Sequence, residues 1–514
     1  MKSSIVLHPN FTIGTVDPRL FGSFIEHLGR AVYGGIFEPG HPMADADGFR
    51  TDVIELVKEL RVPIVRYPGG NFVSGYHWEE GVGPVEERPR RLDPAWFTLE
   101  SNRVGTNEFA AWARKAGVEV MMAVNLGTRG IDAARSLVEY CNHPGGSAWS
   151  DLRIRHGARE PHNIKTWCLG NEMDGPWQLG HVPAEDYGKL AAAAGRAMKW
   201  VDPGIELVAC GSSSSGMPTF PAWEATVLEH TYDVVDYISL HRYLSKSGWT
   251  EGGGASMETA EFVALPLLVD SFIETVVATC DHIRARKRSK KLMMLSFDEW
   301  NVWYHSRAAD ANVERWSEAP PLLEDIYTFE DALVVGGMLL SLLRHCDRVR
   351  IACLAQLVNV IAPIMTVPGG PAWRQTIFHP FRDVSLLARG DVLDLRVSSP
   401  DYQAGSLGPV PTLDSAAVWK AGSGELVVFA VNRSVSMELE IDLRAFPQGL
   451  RLQEHRHLIS EDPLASTSAA TPGRVSPSAG GGGEFVNSTF RTRLAPLSWN
   501  VLRFGAADRS DASA

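Results

Sequence analysis

Short apolar segments alternate with longer amphipathic ones from residue 24 to residue 357, and no other feature of the chain narrows its fold as much. The apolar segments are 24–28, 64–67, 118–125, 165–172, 206–211, 237–243, 291–300 and 351–357. Between them, 49–60, 106–116, 131–141, 184–200, 220–230, 261–287 and 323–345 carry apolar residues at helical spacing. Strand followed by helix, repeated this often, predicts an α/β fold, a closed parallel (β/α)8 TIM barrel. An open doubly wound sheet is the alternative. No GxGxxG follows the first segment and no Walker A motif occurs, so the nucleotide-binding forms of that fold are not favoured.

After Val384 the pattern changes to short alternating runs broken by Gly, Pro and Ser: 416–420, 425–431, 437–443, 450–459, 484–494 and 498–504. This is the signature of an all-β sandwich. The stretch 465–483, which ends in four glycines, reads as a flexible surface loop, and 506–514 as a disordered tail. Residues 2–16 alternate like a strand and are expected to pair with the sandwich. The domains are therefore a catalytic barrel, 17–384, and a jelly-roll-like β-sandwich made of 1–16 plus 385–505.

A net charge of -12 over 514 residues disfavours nucleic acid as a partner. The basic run 282–291 reads instead as a solvated helix end, where cations suit the helix dipole. No apolar run approaches the roughly 18 residues of a membrane span, so no membrane partner is expected. The first residues lack the apolar stretch of a signal peptide. Six cysteines, at 141, 168, 210, 280, 346 and 353, show no CxxC pair and read as buried free thiols of a reducing compartment. A cytoplasmic location follows.

In a parallel barrel the C-terminal strand ends share one mouth, where catalytic groups collect. Polar residues stand at seven of the expected ends: Glu26-His27, Arg66 with Asn71 shortly after, Asn125, Asn171-Glu172, His241-Arg242-Tyr243, Glu299 and Gln356. One alone would be an ordinary turn residue; the set reads as a site. Glu172 and Glu299 each close an apolar run, and a carboxylate there costs free energy unless it is used. Two such groups facing one mouth point to acid/base and nucleophilic chemistry, with glycoside cleavage as the leading case. No HExxH or clustered His/Cys spacing occurs, so neither metal nor cofactor is expected. The run Gly211-Ser-Ser-Ser-Ser-Gly216 lacks the GxSxG spacing of a serine elbow and reads as a polar loop.

The runs Phe21-Gly-Ser-Phe-Ile-Glu26-His27-Leu-Gly-Arg30, Arg66-Tyr-Pro-Gly-Gly-Asn71-Phe72, Gly105-Thr-Asn-Glu-Phe109, Trp167-Cys-Leu-Gly-Asn171-Glu172, Asp236-Tyr-Ile-Ser-Leu-His241, Phe297-Asp-Glu299-Trp-Asn301 and Ala355-Gln356-Leu-Val-Asn359 span the whole barrel. In these the chain resembles the α-L-arabinofuranosidases of glycoside hydrolase family 51, in a clan of retaining barrel glycosidases. The resemblance implies an exo-acting enzyme that releases terminal non-reducing arabinofuranosyl residues from arabinoxylan- or arabinan-derived saccharides. It implies Glu172 as acid/base and Glu299 as nucleophile, with Tyr243 and Arg66 holding Glu299 ionised. Asn171 is expected on the sugar 2-hydroxyl, and Glu26, Asn71 and Gln356 on the other furanose hydroxyls. His241 is expected beside the acid/base, while Trp96 and Trp177 stack beyond the cleaved bond. Retention calls for carboxyl groups roughly 5–5.5 Å apart, against 6.5–9.5 Å for inversion. The resemblance further implies a homo-oligomer, often a hexamer. Arg242 and the loop 92–104 depart from the family's pattern and bear on leaving-group preference. An endo-acting β-1,4-glucanase or xylanase on the same barrel is the alternative enzyme. A non-catalytic sugar-binding protein is the alternative outside catalysis, although such a protein would be expected to lack one of the two glutamates.

Overall fold

The computed structural model describes residues 1–246, 257–434, 437–446 and 449–506. Eight parallel strands close a barrel in chain order: β1 (Gly22–Phe24), β2 (Ile64–Tyr67), β3 (Glu119–Val124), β4 (Thr166–Leu169), β5 (Glu206–Ala209), β6 (Tyr237–Leu244), β7 (Met294–Val302) and β8 (Val349–Ala355). Every strand is buried along nearly its whole length, as expected of a sheet covered on both faces. Helices Thr51–Leu60, Thr106–Ala116, Ile131–Asn142, Ala184–Val201, Ala222–Thr231, Leu267–Lys287, Phe329–Arg344 and Phe378–Leu387 follow β1 to β8 in turn.

Two of these helices differ from the sequence reading. Phe378–Leu387 was not expected; its Pro380 falls in the first turn, where a missing N–H costs nothing. The helix expected from residue 323 begins only at Phe329. Leu323 sits at φ 54°, and Thr328 closes a capping box with Asp331. The first strand also stops earlier than expected, at Phe24. Beyond it Ile25 donates to the Arg66 carbonyl and His27 to that of Pro68, while on the other side the Glu26 N–H goes to the Gln356 side chain rather than to a backbone carbonyl. Contrary to the expectation that no run approaches a membrane span, the stretch 259–287 is long and apolar enough by composition to cross one. In the fold, Val269, Phe272, Ile273, Val276, Cys280 and Ile283 turn one face of its main helix into the barrel core.

The rest of the chain forms two packed sheets, with a separate small ladder of Asp401–Gln403 on Pro409–Pro411. The larger runs Thr12–Thr15, Asp391–Leu393, Leu413–Lys420, Glu425–Asn432, Ser498–Ala506, Leu450–Leu458 and Ser478–Ala479. The other runs Arg396–Ser398, Lys2–Val6, Met437–Asp442, Thr489–Leu494 and Glu484–Val486. Ile5, Val428, Leu439, Ile441, Phe490 and Leu502 belong to one core between them. Lys2–Val6 pairs parallel with Met437–Asp442, and Thr12–Thr15 antiparallel with Asp391–Leu393, so the N-terminal segment joins both sheets. The run 484–494 is a hairpin rather than one strand: Asn487 and Ser488, at φ 48° and 63°, turn the chain. The stretch 465–483 is mostly exposed but is anchored at a few points. Ala465, Thr467 and Val475 are buried, and the Ala465 carbonyl accepts the Phe329 N–H at the start of the helix after β7. Residues 507–514 of the expected tail lie outside the described residues.

Candidate active site

At the C-terminal mouth of the barrel lies a cavity of about 680 Å³ whose lining includes Glu26, Asn71, Trp96, Glu172, Glu299 and Gln356. Residues from β1, β2, β4, β6, β7 and β8, or from the turns just after them, converge here.

Glu299 is buried on β7. Its Oε1 accepts from Arg66 Nη1 at 2.5 Å and its Oε2 from the Tyr243 hydroxyl at 2.8 Å. Burial pushes its carboxyl above the ordinary value, while His241 and Arg66 pull it back. Arg66 also donates from Nη2 to Asn171 Oδ1 at 2.8 Å, which fixes the Asn171 amide. The Asn171 Nδ2 then donates to Asn71 Oδ1 and to Gln178 Oε1, both at 3.2 Å.

Glu172 stands two residues beyond Gly170, in the turn after β4, at φ 42°. This left-handed conformation is uncommon for a side-chain-bearing residue and is held by the surrounding fold. Its Oε1 lies 2.9 Å from His241 Nδ1, and its Oε2 accepts from Trp177 Nε1 at 2.6 Å. His241 also lies 3.5 Å from Glu299 Oε2 by Nδ1 and 3.3 Å from Asp298 Oδ1 by Nε2, the latter an ion-pair distance without hydrogen-bond alignment. Burial alone would lower the imidazole pKa, but Glu299, Asp298 and Glu172 outweigh it and bring it to about 10.

Glu26, in the turn after β1, also lines the cavity. Its Oε1 accepts from the Phe72 N–H at 2.8 Å and from Trp96 Nε1 at 2.9 Å, and its Oε2 from Gln356 Nε2 at 3.3 Å. Burial nonetheless pushes its carboxyl up to about 8. Gly70 allows this packing, since a Cβ there would stand 2.4 Å from Glu26 Oε2.

The residues singled out from the sequence, Glu26, Arg66, Asn71, Trp96, Asn171, Glu172, Trp177, His241, Tyr243, Glu299 and Gln356, thus meet in or immediately beneath one cavity. Asn125 does not; its amide bonds to Tyr76 and Thr128 on the neighbouring turn. Trp96 and Trp177 both line the cavity, each with its indole N–H on a carboxylate.

Three residues that pack beside or beneath the site went unrecognised. Asp298 is buried beneath His241 and Arg66 and accepts from Ser239 Oγ at 2.7 Å; Arg66, His241 and Ser239 outweigh burial and hold its carboxyl below the ordinary value. Gln178 ties Asn171 to Ser74. Asp174 accepts from the Ser213 N–H and hydroxyl. Adjacency to Glu299 concealed Asp298, because neighbours on a regular strand face opposite ways. Here β7 carries an extra residue between its pairings with Ser239 and His241, and this bulge lets both carboxylates serve one site.

An oxygen of Glu172, an oxygen of Glu299 and a ring nitrogen of His241 lie within 4.8 Å of one another. A cation would fit by distance alone. The Arg66 guanidinium on Glu299 and the raised imidazole pKa oppose one, and both carboxylates already have donors. This nearest-atom closeness is compatible with the roughly 5–5.5 Å carboxyl separation of retaining glycosidases.

Two family models match the chain: the α-L-arabinofuranosidase 1 domain over residues 56–253 and the α-L-arabinofuranosidase C-terminal domain over residues 298–498. The chain is 58% identical to an intracellular exo-α-(1→5)-L-arabinofuranosidase of Halalkalibacterium halodurans, covering 98% of this chain and 99% of that protein. It is 57% identical to intracellular exo-α-(1→5)-L-arabinofuranosidase 1 of Bacillus subtilis, again over 98% and 99%. Among solved structures, a family 51 α-L-arabinofuranosidase from Bifidobacterium longum superposes with a TM-score of 0.92 at 46% identity, covering 98% of this chain and 99% of that one.

Proposed function

The chain belongs to the α-L-arabinofuranosidases of glycoside hydrolase family 51, retaining glycosidases, and on that footing we propose that Glu299 and Glu172 carry out its double displacement. In the first step a Glu299 oxygen bonds to the anomeric carbon of a terminal arabinofuranosyl residue. The glycosidic bond breaks, and Glu172 delivers its proton to the departing oxygen. In the second step Glu172 takes a proton from water, the water oxygen bonds to the same carbon, and the ester to Glu299 breaks. One arabinose is released at each turnover, so the cleavage is exo.

The remaining side chains take positioning roles in this reading. Arg66 and Tyr243 hold Glu299 in line, and Arg66 opposes the effect of burial on its charge. Asn171, itself pinned by Arg66, presents its amide to the sugar 2-hydroxyl, a contact that strengthens in the transition state. Glu26, Asn71 and Gln356 grip the other hydroxyls, and His241, within reach of both catalytic acids, orients Glu172. The observation that carries the assignment is the close approach of Glu172 and Glu299 across one cavity, with Arg66 on one and His241 on the other.

The substrates are arabinose-bearing oligosaccharides, and the α-(1→5) linkage in the names of the two relatives is the first to try. An endo-acting glucanase or xylanase is not favoured. The relatives' names and the six buried free thiols support a cytoplasmic enzyme, and the family resemblance supports a homo-oligomer. The division into a barrel, 17–384, and a sandwich, 1–16 with 385–505, belongs to the same reading; it is supported by the two sheets of the sandwich drawing strands from both ends of the chain.

Intact-mass measurement tests the roles. Glu172→Ala incubated with 4-nitrophenyl α-L-arabinofuranoside should gain one arabinosyl group, and peptide mapping should place it on Glu299. Glu299→Gln should acquire none and lose at least about a thousandfold in kcat. Labelling elsewhere would sink the assignment.

A further inference from the structure

Besides Glu26, Asn71 and Gln356, the cavity lining includes residues from the turns after β4 and β5 and from β6: Trp177, which donates to Glu172, and Ser213, Ser214 and Arg242. Arg242 follows His241 on β6 and is half-buried. Its hydrogen bonds both leave Nη1, for Ser214 Oγ and Ser215 Oγ, each at 3.1 Å. Its Nε is buried with no partner, and among the described residues no carboxylate stands within ion-pair distance.

Other buried arginines of the chain are compensated. Arg66 faces Glu299 and Asp298, Arg50 faces Glu38 and Asp52, and Arg433 faces Asp414. Arg153 has no acid but spends its N–H groups on five backbone carbonyls. Burial lowers the pKa of Arg242, and among the described residues no neighbouring charge opposes it. A guanidinium offers five N–H donors in a planar fork that fits a carboxylate. Keeping it half-desolvated and without an anion costs free energy that a ligand can return. The serine run after β5, unexplained by the sequence, acts as its brace: two hydroxyls fix Nη1 and leave Nη2 to the cavity.

We propose that Arg242, with Ser214 and Ser215 as its support, is a specificity-determining residue that binds a carboxylate on the leaving group, so that the enzyme prefers arabinofuranosyl units attached to a uronate-bearing saccharide. The inference rests on the reading that Glu172 protonates the departing oxygen, which puts the leaving saccharide on the Trp177 and Arg242 side.

The test compares a disaccharide of arabinofuranose on a uronic acid with its methyl ester, which keeps the shape and removes the charge. Wild-type kcat/KM should be about fivefold or more higher for the free acid. The advantage should shrink as salt is raised. It should vanish in Arg242→Gln and survive in part in Arg242→Lys, and because each ratio is taken within one protein, a general loss of folding does not move it. Equal rates on acid and ester in the wild type, or an advantage that persists in Arg242→Gln, would overturn the proposal. So would cleavage of 4-nitrophenyl α-L-arabinofuranoside with no cleavage of either disaccharide. If none of the three substrates released arabinose, the proposed catalytic roles would fall with it.

Discussion

Charge is distributed unevenly among the acids of the site. Glu299 has a guanidinium and a phenol, whereas Glu26 has only neutral N–H donors and is pushed up to about 8 by burial. That shift fixes the sign of a stability effect. Between the ordinary carboxylate value of 4.5 and about 8 the folded protein holds a proton on Glu26 that the unfolded chain has released. The contribution is therefore fully present below 4.5, falls as pH rises through this window, and levels off above about 8. Asp93 and Asp174, each raised to about 6 by burial, act in the same direction over narrower windows. Glu26→Gln mimics the protonated carboxyl. Its melting temperature should fall less than that of the wild type between about pH 5 and pH 8, while kcat/KM drops as a hydroxyl partner is weakened. Parallel melting curves for the two proteins would show that Glu26 is ionised in the fold.

The barrel strands were legible because fully buried strands appear as short apolar runs, and their polar ends marked the mouth. What stayed hidden lies in backbone detail that composition does not encode. A bulge in β7 makes Asp298 a partner of Glu299's neighbours rather than an outward residue, and Glu172 sits in a left-handed turn rather than at a strand end. The stretch 465–483 looked unstructured because its residues are small and polar, yet Thr467 and Ala465 bond to backbone groups of the barrel domain. The turn after β2 shows how tightly such an element constrains the site. The Phe72 N–H and the bare Cα of Gly70 both contact the Glu26 carboxyl. Gly70→Ala would drive a methyl group to 2.4 Å from an oxygen of that buried carboxyl, which can escape only into the cavity and by giving up its bonds to Phe72, Trp96 and Gln356. The carboxyl must shift, and misplacement of a binding group by about 1 Å can cost roughly a hundredfold in rate. Steady-state kinetics on 4-nitrophenyl α-L-arabinofuranoside should show a loss of that order in kcat/KM, with a loss of about 1–3 kcal/mol in stability. Unchanged kinetics would mean that Glu26 does not need this position.

The sandwich holds the barrel by its last helices. Gly336, in the helix after β7, leaves room for the Trp499 ring, and Arg344 of the same helix reaches Asp414 at 2.6 Å. Asp383, in the helix after β8, is buried and accepts from Trp499 Nε1 at 3.0 Å and from Arg456 Nη2 at 2.6 Å. Both donors belong to the seven-stranded sheet, so one carboxylate joins the two halves of the molecule. Its removal leaves a buried indole N–H without a partner and an arginine without its acid. Each loss is expensive in a low-dielectric interface, although Arg456 retains some solvent and the ion pair at Glu454. Asp383→Ala should therefore destabilise by about 2 kcal/mol. Asp383→Asn keeps an acceptor for the indole and should lose less. The two helices that Asp383 and Arg344 occupy follow β7 and β8, the strands that present Glu299 and Gln356, so loosening this interface should lower activity on heating before the barrel itself melts. In calorimetry the wild type should unfold in one transition, while Asp383→Ala should show the sandwich releasing first. A single transition at the wild-type temperature in Asp383→Ala would show that the apolar part of the interface, with Trp499 at its centre, suffices to join the two bodies.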